Sequence, residues 1–86
     1  MSQPAVVMYT TNWCPYCERA RRLLAAKNVS IDEIDVESAP DKRAEMQARS
    51  GRRSVPQIFI GDHHVGGSDD LQDLEAAGKL DGLLGR

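Results

Sequence analysis

Residues 5–27 read AVVMYTTNWCPYCERARRLLAAK, an apolar stretch that leads through a Cys-x-x-Cys motif into a run of good helix formers. Residues 5–9 are apolar and partly β-branched, a composition typical of a buried strand. Pro15 suits the first turn of a helix, because its missing N–H is harmless there and its fixed φ is favourable. Across residues 16–27 the apolar side chains recur at helical spacing. The stretch therefore predicts a strand, a polar connector and a helix that begins at the cysteine motif.

Strands and helices continue to alternate along the remainder of the chain. The predicted elements are a strand at 31–36, a helix at 38–50, strands at 57–60 and 63–65, and a helix at 68–77 followed by a short final turn. Ser38 is the predicted N-cap of the middle helix, with Pro40 in its first turn and Gly51 after its end. The first strand, helix and strand form a βαβ unit with a parallel strand pair, and the closing hairpin makes the sheet mixed. We predict one α/β domain over residues 1–86, with the element order β-α-β-α-β-β-α.

Composition and charge argue against several classes of function. The formal net charge is −2, and the chain lacks the basic stripe that nucleic acid would favour. We find no basic amphipathic helix of the membrane-surface type, and the longest apolar stretch, residues 5–8, is too short to span a bilayer. The N-terminus lacks a charged region followed by a long apolar run, so we predict no secretory signal. We therefore expect no nucleic-acid or membrane partner, and a reducing, cytoplasmic location.

The two cysteines of the chain, Cys14 and Cys17, share the one Cys-x-x-Cys motif. Disulfide exchange needs a solvent-accessible thiolate and a second thiol nearby. Cys14 precedes the predicted helix, where free backbone N–H groups and the helix dipole stabilise a thiolate. Cys17 lies one turn further in, on the same side of the helix and nearer the core. We therefore predict that Cys14 is the nucleophile and Cys17 the resolving thiol.

Other interpretations of the motif are weaker. A structural disulfide that closes only two intervening residues would stabilise the fold little. A structural zinc site needs four ligands, and the chain has no third cysteine. His63 and His64 are adjacent, so they would point to opposite faces of a strand, and we expect both to be exposed on an edge strand. A Cys-x-x-Cys next to a βαβ unit is instead typical of a thioredoxin-like redox site.

With these motifs in place, the chain resembles the dithiol class of glutaredoxins, close to the short bacterial form. The resemblance extends from Val6 to about Leu84, and its anchors are CPYC at 14–17, SVP at 54–56 and GGSDD at 66–70. It implies the thioredoxin fold, with a four-stranded mixed sheet flanked by helices. It also implies glutathione as co-substrate, no metal, and reduction of two kinds of substrate, protein–glutathione mixed disulfides and protein disulfides.

The resemblance also implies a glutathione site. Val55 would supply backbone hydrogen bonds to the cysteinyl part of glutathione, and Pro56 would be cis, whereas the sequence alone would suggest an ordinary trans proline at the start of an edge strand. Gly67, Ser68 and Asp69 would hold the γ-glutamyl end. There a helix N-terminus offers N–H groups to the carboxylate and the Asp69 carboxylate pairs with the ammonium. The same segment also suits a plain helix cap, with Ser68 as the capping residue.

Two further positions carry over from the resemblance, and two depart from it. Arg43 matches the residue that binds the glycyl carboxylate, and Tyr16 would flank bound glutathione. Thr11 stands where many relatives have a lysine near the first cysteine, and we hypothesise that Arg52 or Arg53 partly replaces its charge.

Trp13, beside the first cysteine, is also unusual. Its indole would stack on substrate or shield the sulfur, or it would pack beneath the loop. Ser68 replaces a third cysteine that many relatives have.

Two alternative functions remain at this point. The first is an iron–sulfur or metal carrier, although Pro15 after the first cysteine is unlike the glycine or serine typical of cluster-binding relatives. The second is a redoxin reduced by thioredoxin reductase, which the glutathione-like positions disfavour. The expected partners are glutathione and glutathionylated or disulfide-bonded proteins, and the expected oligomeric state is a monomer.

Overall fold

The computed structural model of the protein describes residues 4–85. The elements are β1 (Val6–Thr10), α1 (Pro15–Ala26), β2 (Ile31–Asp35), α2 (Pro40–Ser50), β3 (Gln57–Ile60), β4 (His63–Gly66), α3 (Ser68–Ala76) and α4 (Leu80–Leu83). The predicted element order is confirmed, and the expected final turn is the short helix α4. Within this part of the chain, no helix combines the length and the apolar character that a membrane crossing requires.

One sheet of four strands organises the molecule, in the order β2-β1-β3-β4. β1 pairs in parallel with β2 and antiparallel with β3, and β3 forms an antiparallel hairpin with β4. The predicted parallel βαβ unit and the mixed sheet are therefore confirmed. β1 lies inside the sheet with helices over both faces, which explains why its sequence is an almost continuous apolar run.

The apolar side chains form a layer on each side of the sheet. On one side, Met8 packs with Leu24 of α1 and Leu71 of α3. On the other side, Tyr9 packs with Met46 of α2. Consecutive strand residues point to opposite faces. The adjacent residues Met8 and Tyr9 thus belong to the two different layers. The packing of α1 against β1 places the first turn of α1 near the end of that strand.

The Tyr9 hydroxyl ties α2 to the sheet. It donates a hydrogen bond to the Glu45 carboxylate and accepts one from Arg49 Nη1 at 2.9 Å. Burial raises the pKa of Tyr9, and the bond from its hydroxyl lowers the pKa of Glu45. The Arg49 guanidinium also lies 4.1 Å from the centroid of the Phe59 ring, a cation–π contact. These contacts hold the last two turns of α2 against β1 and β3.

The start of α2 differs from the prediction. Ser38 is not the N-cap. Ala39 occupies that position, without a side-chain bond to the helix, and Pro40 is the first helical residue. The Asp35 carboxylate instead accepts the backbone N–H of Glu37 at 2.8 Å and that of Ser38 at 3.4 Å. An acidic side chain at the end of β2 therefore holds the entry to the helix, as in an Asx turn.

Candidate active site

The cysteine motif lies at the start of α1, directly after β1. Cys14 is the N-cap, with an extended backbone (φ −150°, ψ 98°), and Pro15 is the first helical residue. Cys14 Sγ is bonded to Cys17 in a disulfide and also accepts the backbone N–H of Cys17 at 3.1 Å. Cys14 is half-buried, whereas Cys17 is 0% exposed. The predicted difference in exposure between the two sulfurs is confirmed, and a helix N–H already points at the outer one.

The exposed aromatic side chains flank this sulfur. Trp13 is 85% exposed and Tyr16 is 56% exposed. Packing of Trp13 beneath the loop is therefore wrong, because most of the indole surface faces water. Trp13 instead lines a surface cleft of about 250 Å³ together with Cys14 and Arg21 of α1. The indole is therefore exposed beside the outer sulfur, where one face is free to stack.

The loop before β3 reaches the same sulfur from across the site. The Val55–Pro56 peptide bond is cis, as the resemblance implied. The carbonyl oxygen of Val55 lies 3.9 Å from Cys14 Sγ. Val55 is half-buried and Pro56 is buried. The backbone of Val55 is thus placed next to the outer sulfur of the cysteine pair.

A second cleft, of about 230 Å³, joins these elements. It is lined by Tyr16, Arg52, Ser54, Val55, Pro56, Gly67, Ser68, Asp69 and Asp70. Of the seven residues expected to bind glutathione, six are in this lining, and Arg43 is not. We call this space the α3 cleft, because the N-terminus of α3 forms one wall. The other wall is the loop that carries the cis proline.

The N-terminus of α3 is capped differently from the prediction. Gly67 is the N-cap and Ser68 the first helical residue, so the expected capping role of Ser68 is wrong. The Asp70 carboxylate accepts the backbone N–H of Gly67 at 2.9 Å and a bond from Arg52 Nη1 at 2.9 Å. The Gly67 bond, and then Arg52, hold the pKa of Asp70 below its usual value. The Ser68 hydroxyl is buried and has no hydrogen-bond partner within residues 4–85.

Three residues of this cleft were not among the predicted glutathione-binding residues: Arg52, Ser54 and Asp70. The signal for Asp70 was present, since an acidic residue three positions after a potential N-cap is the spacing of a capping box. Its bond to Arg52 depends on the fold, because 18 residues separate the two.

This ion pair also bears on the hypothesis that Arg52 or Arg53 partly replaces the charge of the missing lysine. Arg52 is engaged by Asp70, and Arg53 is exposed.

The histidine pair also departs from the expectation. His63 is exposed, but His64 is half-buried, so the prediction of two exposed rings is wrong for His64. Its ring stacks on Phe59 with centroids 4.8 Å apart, and its Nε2 lies 2.8 Å from Gln57 Oε1. Across residues 4–85, no group of three or more His, Cys, Asp or Glu side chains is arranged to hold a metal ion.

Asp70→Asn is expected to lower the free energy of unfolding by about 1 kcal/mol at neutral pH, because the charged cap of α3 and its bond to Arg52 are lost. The pKa of Asp70 is lower in the folded protein. Its contribution to stability is therefore complete above the unfolded-state pKa and disappears as the pH falls through the folded-state value. Urea unfolding of wild type and of Asp70→Asn, at neutral pH and at about pH 3, measures how the difference in their free energies of unfolding changes with pH.

The matched control for this comparison is Asp73→Asn, an exposed acid in the same helix. We expect it to have little effect on the free energy of unfolding at either pH. If the difference between wild type and Asp70→Asn stayed constant down to about pH 3, the Asp70 charge would not be what stabilises the cap.

Comparisons with known proteins agree with this geometry. A glutaredoxin family model matches residues 6–65. A glutaredoxin of Pseudomonas aeruginosa is 57% identical over 81 residues, which cover 94% of this chain and 96% of the relative. The solution structure of glutaredoxin from Brucella melitensis is similar with a TM-score of 0.86 and 57% identity, covering 98% of this chain and 91% of that one.

A crystal structure of a buckwheat glutaredoxin–glutathione complex is similar with a TM-score of 0.85 and 29% identity, covering 95% of this chain and 76% of that one. The predicted thioredoxin fold, with its four-stranded mixed sheet between helices, is thereby confirmed. The family match covers both cysteines and the cis-proline loop. The chain belongs to the glutaredoxin family of glutathione-dependent thiol–disulfide oxidoreductases.

Proposed function

We propose that Cys14 is the attacking thiolate and Cys17 the resolving thiol of this enzyme. The observation that carries the proposal is the difference between the sulfurs: Cys14 Sγ is half-buried and receives a helix N–H, whereas Cys17 is 0% exposed. Hydrogen bonding and the helix dipole favour the charged form of the outer thiol, and burial disfavours it for the inner one.

The exchange steps follow from this assignment. With a glutathionylated protein, the Cys14 thiolate attacks the glutathione sulfur, the protein thiolate leaves, and a Cys14–glutathione disulfide forms. The thiolate of a second glutathione attacks the glutathione sulfur of that disulfide, which releases oxidised glutathione and restores the Cys14 thiolate. With a protein disulfide, the Cys14 thiolate attacks one substrate sulfur, the other substrate sulfur leaves as a thiolate, and a mixed disulfide forms. The Cys17 thiolate then attacks Cys14 Sγ, releases the remaining substrate thiolate and leaves the disulfide between the two cysteines. Two glutathione molecules reduce that disulfide in turn and leave as oxidised glutathione.

Glutathione fits the α3 cleft by its charges and its extended shape. Its γ-glutamyl carboxylate would meet the N–H groups of the first turn of α3 and the buried, unpartnered hydroxyl of Ser68. Its ammonium would meet the exposed Asp69 carboxylate. The cysteinyl backbone would lie along Val55, beside Cys14, and Tyr16 would cover one side. The α3 cleft thus offers hydrogen-bond donors to the γ-glutamyl carboxylate of glutathione and a carboxylate acceptor to its ammonium group.

Arg43 would bind the glycyl carboxylate of glutathione. It lies in α2 and is half-buried, outside the lining of the α3 cleft. This assignment rests on the family resemblance and on the match between a guanidinium and a carboxylate. The protein side of a substrate would then occupy the other cleft, against Trp13. We propose glutathionylated and disulfide-bonded proteins as substrates, with the enzyme acting as a cytoplasmic monomer.

A coupled assay tests the proposed function. The purified protein is mixed with glutathione, glutathione reductase, NADPH and a glutathionylated peptide, and NADPH oxidation is followed. We expect turnover that saturates with the peptide and that stops when glutathione is omitted. Turnover supported by thioredoxin reductase, and not by glutathione, would contradict the proposal. A coloured protein after anaerobic reconstitution with iron and sulfide, together with no turnover, would favour the carrier function.

A further inference from the structure

The buried side chain of Gln57 connects the cis-proline loop to the hairpin of β3 and β4. Gln57 follows Pro56 directly and is 0% exposed. Its Nε2 donates to the carbonyl oxygen of Ser54 at 3.0 Å and to the Ser54 hydroxyl at 3.2 Å. On the other side of the amide, Oε1 lies 2.8 Å from His64 Nε2. All three polar contacts of this buried amide are therefore made by two residues of the protein.

The pattern of donors and acceptors fixes the direction of each bond. If the Gln57 amide were turned over, its carbonyl oxygen would face the carbonyl oxygen of Ser54, and two acceptors would meet. The amide nitrogen must therefore face Ser54, and His64 must carry a proton on Nε2 to donate to Oε1. Burial, and then the charge of Arg52, lower the pKa of His64. The neutral imidazole with its proton on Nε2 is sufficient for the bond.

The ring of His64 is itself held in place. It stacks on Phe59, the residue opposite it in the hairpin, at 4.8 Å between centroids. The Arg49 guanidinium packs on Phe59 in turn. The donor Nε2 is thus fixed by contacts that are independent of Gln57. We call the chain of bonds from His64 through Gln57 to Ser54 the His64 relay.

The relay ends on the peptide group that precedes Val55. A peptide bond is planar, and in its trans form the C=O and N–H groups point in opposite directions. Among residues 4–85 the only cis bond is Val55–Pro56, so the Ser54–Val55 bond is trans. A hydrogen bond that holds the carbonyl oxygen of Ser54 therefore also fixes the direction of the Val55 N–H. Val55 lines the α3 cleft beside Cys14.

We propose that His64 and Gln57 are positioning residues for glutathione recognition, which orient the Val55 backbone N–H that binds the cysteinyl part of glutathione. This inference rests on the proposed use of Val55. It links an edge-strand histidine to the substrate site without any contact between that histidine and the substrate. Loss of the relay should weaken recognition of glutathione and leave the chemistry at Cys14 intact, because neither residue touches the cysteine sulfurs.

His64→Phe tests the relay, since phenylalanine keeps the stacking on Phe59 and removes the N–H donor. We expect the KM for a glutathionylated peptide to rise about 5–10-fold with kcat within about twofold, since a buried acceptor loses its partner. Gln57→Glu removes the donor that faces Ser54, and it should raise KM at least as much. The matched control is His63→Phe, the same substitution at the neighbouring exposed position, and it should leave KM unchanged.

A second measurement keeps the test independent of turnover and of folding. The NMR resonance and the hydrogen exchange of the Val55 amide should change in His64→Phe and stay as in wild type in His63→Phe. If wild type turns over and both phenylalanine variants share its KM and its Val55 amide behaviour, the relay is overturned. A lower melting temperature with an unchanged KM would also overturn it. If wild type fails to use glutathione, the proposed function fails, while the Val55 amide still reports on the relay.

Discussion

Cys14→Ser is expected to abolish turnover of both glutathionylated peptides and protein disulfides, with a loss of at least about 10³-fold. The serine hydroxyl does not ionise near neutral pH, so the helix N–H that Cys14 Sγ accepts from Cys17 would have no thiolate to stabilise. Cys17→Ser should behave differently. It should keep turnover of glutathionylated peptides and lose turnover of protein disulfides, since only the second reaction needs an internal resolving thiol.

The coupled glutathione reductase assay with each substrate measures both variants. The fluorescence of Trp13 provides a control for redox state, because it is the only tryptophan of the chain and lies beside Cys14. Wild type should show a change in emission on reduction, and both serine variants should show none. If Cys14→Ser kept turnover of the glutathionylated peptide while Cys17→Ser lost it, the two assigned roles would be reversed.

Gly66→Ala is expected to lower the free energy of unfolding by about 3 kcal/mol and to raise the KM for a glutathionylated substrate. Gly66 has φ +111°, a conformation that side chains rarely adopt. An added Cβ would collide with the Asp70 carboxylate, at 2.9 Å from its Cγ, and would lie 3.0 Å from Arg52 Nη1. The carboxylate would therefore have to leave Gly67, and the first turn of α3 would lose its cap. Urea unfolding and steady-state kinetics measure the two effects.

Gly78→Ala separates backbone strain from this collision. Gly78 has φ +73°, and an added Cβ there would meet no atom within 4 Å. We expect it to lower the free energy of unfolding by about 1 kcal/mol and to leave KM unchanged. An equal effect of both substitutions on stability and on KM would show that the contact between Gly66 and Asp70 does not shape the α3 cleft.

Much of the fold could be predicted because its signals are local. The apolar run at β1 and the proline after Cys14 were enough to predict the strand, the start of α1 and which cysteine is the outer one. Gly51 ends α2 in a left-handed conformation, as a glycine at that position indicates. Each of these features depends on a residue and its immediate neighbours in the chain.

Features that depend on distant residues could not be predicted in this way. The bond that Arg52 donates to Asp70, whose carboxylate caps α3, joins side chains 18 residues apart in the chain. The difference in exposure between His63 and His64 follows from the register of β3 with β4, which places His64 opposite Phe59. Ser38 was wrongly predicted as a cap because the helix begins one residue later, with Ala39 as the N-cap, while the Asp35 carboxylate accepts the backbone N–H groups of Glu37 and Ser38 before the helix. The Asp70–Arg52 pair and the exposure of His64 are thus decided by tertiary packing.

The sequence by itself determined the chemistry of this protein. Two cysteines at the start of a helix that follows a buried strand predict one outward sulfur beside the helix N-terminus and one internal sulfur, since helical spacing and the helix dipole are local properties. Only the tertiary structure decided what surrounds that sulfur. It brought the Val55–Pro56 loop, the N-terminus of α3 and the His64 relay together at one site. The sheet aligns these segments, which lie far apart in the chain, through the antiparallel pairing of β1 with β3, which was not predicted from the sequence.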